Sequence, residues 1–112
     1  KSIKFPSSLT YIKQSAFNRC TKLKKVEFPI DSKLQVIENE AFIYSFIESI
    51  SFPPELTQIG EKAFSNCSLL QIVEINENSK LSEINPNIFD SNHSIMIMVP
   101  TKITTILIKN SI

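Results

Sequence analysis

The chain has a single glycine, Gly60, and no tryptophan in 112 residues. Tight primed hairpin turns need positive φ, which glycine adopts most readily. A protein with one glycine cannot be assembled from many such turns, so few are expected. No charge of one sign dominates: 12 Lys and Arg face 11 Asp and Glu, for a net charge of +1. That balance points neither to nucleic acid nor to an anionic membrane surface as a partner. No apolar run approaches membrane-spanning length, so insertion of this segment into a bilayer is not expected. The two cysteines and one histidine, Cys20, Cys67 and His93, show no metal-ligand spacing. Gly60 alone builds no phosphate-binding loop, and no carboxylate pair stands out from the solvated background. Neither catalytic residue, cofactor nor metal is therefore expected, and the chain is read as not an enzyme.

What is present is a folded composition. Apolar residues make up 42% and charged residues 21%, which suits a packed chain rather than a disordered one, and the length suits one domain. The apolar residues are also ordered. Ala16-Phe17-x-x-Cys20-x-x-Leu23-x-x-Val26-Glu27-Phe28 recurs 47 positions later as Ala63-Phe64-x-x-Cys67-x-x-Leu70-x-x-Val73-Glu74-Ile75. The same offset maps Phe5-Pro6 onto Phe52-Pro53, Leu34 onto Leu81 and Phe42 onto Phe89. A shorter unit lies inside it. Leu9, Leu34, Leu56, Leu81 and Ile103 lead successive copies at steps of 25, 22, 25 and 22. The repeats then run over about 9–33, 34–55, 56–80 and 81–102, with 103–112 starting a fifth. The chain opens and closes inside a repeat, which predicts a segment of a longer protein.

Each unit ends in period-2 alternation, as in Leu23-x-x-Val26-x-Phe28, and so predicts a strand with one buried face. Pro6, Pro29, Pro53 and Pro100 close four of these strands, because proline has no N–H for the ladder. Strands 22–25 residues apart with no hairpin between them must run parallel in neighbouring coils. The Leu-x-x-Ile segment then crosses the far side of each coil, and the Ala-Phe turn leads back. A single coil leaves its flat faces wet, whereas stacking removes them and adds ladder hydrogen bonds. Phe17, Phe42, Phe64 and Phe89 are predicted to form one buried column.

The pattern Ile59-Gly60-x-x-Ala63-Phe64-x-x-Cys67-x-x-Leu70-x-x-Val73-x-Ile75, with Phe-Pro at strand ends, resembles the BspA-like, Treponema-type leucine-rich repeat across essentially the whole chain. The resemblance implies a right-handed solenoid that is mostly β. Its parallel sheet would line the concave face, with short strands or 3-10 turns on the convex face. Departures are local: Ser45 and Asn92 stand at the Cys position, Ile88 at the Ala position and Asn76 at the Pro position. The family includes surface and secreted proteins of bacteria and anaerobic protists linked to adhesion. That implies a protein ligand, such as a host or extracellular matrix protein, and a cell-surface or secreted location. An intracellular scaffold or regulatory protein on the same repeat is the alternative, and would be cytoplasmic.

Individual candidates are weighed against plainer roles. Cys20 and Cys67 share a register two coils apart, roughly 10 Å at a strand spacing of about 4.8 Å. That exceeds disulfide reach, so two free, buried thiols are expected. His93 reads as an exposed turn residue. Asn66 and Asn92 begin Asn-x-Ser sequons, at a frequency close to chance for this composition. Lys22, Lys24 and Lys25 read as a solvated face offset by Glu27. More informative are the strand positions that alternate away from the core: Ser2 and Lys4, then Lys25 and Glu27, Ser49 and Ser51, Ile72 and Glu74, and Met96 and Met98. From Lys25 onward these form the expected concave binding face. Ile72, Met96 and Met98 should make an apolar patch, either a partner site or a face covered by a later segment. Open ends would favour a larger parent or end-to-end association.

Overall fold

The computed structural model describes residues 2–82, 84–89 and 94–98. Eight short strands follow one another along them: β1 (Ser2–Lys4), β2 (Tyr11–Ile12), β3 (Lys25–Glu27), β4 (Val36–Ile37), β5 (Ser49–Phe52), β6 (Gln58–Ile59), β7 (Ile72–Ile75) and β8 (Met96–Met98). A 3-10 turn, Pro86–Phe89, precedes β8. The odd-numbered strands and β8 form a five-stranded sheet in the order β1-β3-β5-β7-β8. The pairs β2-β4-β6 form a second sheet, and every pairing is parallel. The chain therefore alternates between two parallel sheets and advances one strand per coil, which is a β-solenoid. Pro6, Pro29 and Pro53 follow β1, β3 and β5 as their missing N–H groups require; Pro100, Ile103 and the rest of the tail lie outside the described residues.

Stacking extends beyond the strands. In the Ala-Phe turns Phe17 N–H donates to Ala41 O at 2.7 Å, Phe42 N–H to Ala63 O at 2.8 Å and Phe64 N–H to Ile88 O at 3.0 Å. Equivalent turns are thus laddered coil upon coil, and their buried peptide groups are satisfied without side chains. Two residues flanking each Phe adopt left-handed backbone: Ser15 and Arg19, Glu40 and Tyr44, Lys62 and Asn66, all with φ of 56–61°. The expected scarcity of glycine hairpins holds, because the strand connections are coils. Positive φ is nonetheless used at six non-glycine positions among the described residues, where the interlocking hydrogen bonds outweigh a local cost of about 1–2 kcal/mol each.

The core runs between the two sheets. Leu34, Ile37, Ala41, Phe42, Ile47, Leu56, Ala63, Phe64, Leu70 and Val73 are wholly buried. The aromatic column is present: ring centroids are 5.1 Å apart for Phe17–Phe42, 5.1 Å for Phe42–Phe64 and 6.0 Å for Phe64–Phe89. Its outer members Phe17 and Phe89 are only half-buried, and Phe5 meets Phe17 edge-on at 5.6 Å. Phe5 and Phe28 stack at 5.3 Å beside it.

Candidate functional site

Pleating turns every second strand residue of the five-stranded sheet away from the core. In-register pairing then sorts the outward residues into two rows. Ser2, Lys25, Ser49, Ile72 and Met96 are successive Cα partners in one row. Lys4 faces Glu27 in the other, where Ser51, Glu74 and Met98 also follow in register. All the residues expected on this face are exposed except Glu27, which is half-buried.

The face changes character along the stack. Its first two strands carry Lys4, Lys25 and Glu27, its middle strand carries Ser49 and Ser51, and its last two carry Ile72, Met96 and Met98. Glu74 is tied into the hydroxyl band, since Ser51 Oγ donates to Glu74 Oε1 at 2.5 Å. Met96 and Met98 are 62% and 47% exposed, so no described residue covers the apolar end. Among the described residues no cluster of three or more His, Cys, Asp or Glu could hold a metal ion, and no helix is long and apolar enough to cross a membrane.

Both cysteines are free. Cys67 is wholly buried as expected; its thiol donates to Phe42 O at 3.2 Å and lies 3.4 Å from Ser45 Oγ. Burial pushes this thiol above the ordinary value of 9.0, partly offset by hydrogen bonds with Ser45. Cys20 corrects the expectation of two buried thiols. It is only half-buried, because it lines an open apolar recess with Ile3, Phe17 and Leu23 at the first coil. Lys22 and Lys24 are exposed, as read. Asn66 is exposed in its left-handed turn, with its amide donating to Ser65 Oγ at 3.3 Å. His93 and Asn92 lie outside the described residues.

Some exposed apolar side chains were not anticipated. Phe46 and Leu69 are 37% and 41% exposed. Each directly precedes a buried residue, Ile47 and Leu70, at the slot Lys22 takes before Leu23. Aligning the copies on those buried residues would have found them. Tyr44 is exposed beneath the Arg19 guanidinium, 4.5 Å from the ring centroid.

Residues 1–110 match the BspA type leucine rich repeat region, in six copies. Among solved structures, the pneumococcal vaccine antigen PcpA is similar with a TM-score of 0.76 and 30% identity, over 88% of this chain and 26% of that one. A leucine rich cell surface protein from Faecalibacterium prausnitzii A2-165 is similar with a TM-score of 0.64 and 28% identity, over 70% of this chain and 20% of that one. The chain thus spans 26% or less of the length of either structure. Comparison with curated proteins gave no match.

Proposed function

This chain belongs to the BspA-type leucine-rich repeat family, and from that premise we propose that it is a non-catalytic binding segment of a cell-surface or secreted protein. Its ligand is a protein, of host or extracellular matrix origin, met through the outward rows of the five-stranded sheet. Lys25, Glu27, Ser49, Ser51, Ile72, Glu74, Met96 and Met98 form the contact face. The single observation that carries this reading is the apolar end, Ile72, Met96 and Met98, which no described residue covers, in register with a hydroxyl and charged band. An apolar anchor within a polar rim is the usual anatomy of a protein interface. The surface location is supported by the similar F. prausnitzii protein, which is described as a cell surface protein.

A panel of immobilised matrix proteins, probed with the whole chain, tests the reading. Ile72→Ser and Met96→Ser are expected to weaken binding about tenfold each, the scale of a buried interface anchor. Lys62→Ala, on a turn rather than the sheet face, is expected to leave it unchanged. Loss of binding from Lys62→Ala but not from the sheet face would overturn the assignment, and no binding to any panel member would favour a spacer or intracellular scaffold. Self-association through the same face would appear as a concentration-dependent mass abolished by Met96→Ser.

A further inference from the structure

The three-stranded sheet carries a recess of about 260 Å³ whose chemistry differs from that of the proposed protein-binding face. Gly60 forms one edge of it. Gly60 N–H donates to Ile37 O, and one coil earlier Glu38 N–H donates to Ile12 O, so Gly60 and Glu38 occupy one register, with Lys13 before them. Both earlier positions carry long side chains; the third carries none. A Cβ at position 60 would strike the Asn39 side-chain oxygen and backbone nitrogen, so the space there is already shaped around Asn39. Tyr11, Val36 and Gln58 are successive Cα partners across the adjoining strands. The short Val36 leaves a saddle between two longer walls roughly 10 Å apart, at about 4.8 Å per strand.

The lining is polar and partly pre-oriented. Glu38 Oε1 accepts the Gln14 N–H at 2.9 Å, and Asn39 Oδ1 accepts the Glu61 N–H at 2.9 Å. Both side chains are held by backbone donors, and among the described residues no hydrogen bond engages Glu38 Oε2 or Asn39 Nδ2. The side-chain amides of Gln14 and Gln58 and the Tyr11 hydroxyl have no partner among the described residues. Tyr11 is 44% exposed; the Lys13 ammonium lies 5.3 Å from its ring centroid, on one face.

We propose that this recess binds one ring of a neutral saccharide. Donors and acceptors are mixed, as hydroxyls that both donate and accept require. An aromatic ring supplies a surface for the apolar C–H face of a sugar. The Glu38 carboxylate opposes an anionic ligand, and a single carboxylate is too little to hold a metal cation. The polar walls exclude a hydrocarbon. The volume lies below that of a drug-sized pocket, which suits one sugar ring and an affinity near the millimolar range.

The test is an ¹⁵N NMR titration of the whole chain with neutral monosaccharides, as free sugars and as methyl glycosides, to about 50 mM. Saturable shifts are expected at the amides of Tyr11, Gln14, Asn39 and Glu61. Tyr11→Ala and Gln58→Ala each weaken them at least about fivefold, while the melting temperature, recorded in parallel, stays put because both residues are exposed. Binding of both ligand forms assigns a sugar within a glycan; binding of the free sugar alone assigns a free monosaccharide. The proposal is overturned by absence of saturable shifts, by shifts indifferent to both substitutions, or by tighter binding of a sugar acid or a polyamine. None of these outcomes bears on the five-stranded face.

Discussion

The Phe42 and Phe64 rings stack 5.1 Å apart and 8° from parallel, and both are wholly buried. They belong to consecutive coils, so each ring forms part of the surface on which the next coil rests. Phe64→Ala would open a void between coils whose backbones are held at strand spacing and cannot close on it. The expected cost is about 3–5 kcal/mol. Phe17→Ala, at the half-buried end of the column, should cost clearly less. Urea unfolding of both variants checks the order; equal losses would contradict it.

Gly60→Ala should destabilise by about 1–3 kcal/mol, as overpacking does. The added methyl group meets the Asn39 backbone and lies 2.7 Å from the Glu38 carbonyl carbon, neither of which is a flexible side-chain end. Thermal unfolding measures this. A neutral result would mean that the second and third coils can separate locally at little cost.

Lys62 holds a φ of 59°. Glycine accepts that backbone without a Cβ penalty, whereas a β-branched residue fits it worst. Lys62→Gly is expected to be neutral to stabilising by up to about 1 kcal/mol, and Lys62→Val to destabilise by more than about 1 kcal/mol. Chemical denaturation of the pair gives the sign; a more stable valine variant would contradict the left-handed turn.

The two thiols should separate by reactivity. Cys20, half-buried, is expected to react with a thiol reagent in the folded protein, and Cys67 only on unfolding. Burial raises the Cys67 pKa above 9.0 in the folded state. Above that pH the unfolded chain releases a proton that the folded chain keeps. The corresponding stability is complete below pH 9 and falls as pH rises, by at most about 1.4 kcal/mol per pH unit. Cys67→Ala removes this contribution, so the difference between the two pH profiles measured by urea unfolding should widen below pH 9 relative to pH 10.5 (about one and a half units higher). Parallel profiles would contradict the assignment.

The strands of the five-stranded sheet were legible because two signals coincide there: alternation, as at Val26 and Phe28, and a terminating proline, as at Pro29. The phenylalanine column was legible because its spacing repeats at the coil length. For the short strands β2, β4 and β6 the residues themselves show only a crossing segment, since two residues are too few to show a period, and the family resemblance alone implies short strands there. The left-handed positions carry Ser, Arg, Glu, Tyr, Lys and Asn, so composition conceals them; hydrogen bonds between coils impose the conformation. The outward rows followed from alternation and register alone. The recess beside Gly60 did not, because it depends on how the side chains of adjacent coils, such as Asn39 packed against the glycine, are placed around it. The half-buried state of Cys20 likewise depends on position within the stack, which equivalent residues in a repeat do not share.

Site-specific photocross-linking to a matrix-protein panel tests the central claim most directly. A photoreactive residue replaces Ser49 or Ile72 on the outward rows, or Lys62 on the turn. The account predicts adducts with the same ligand from positions 49 and 72 and none from position 62. Adducts from position 62 with none from the sheet would contradict it.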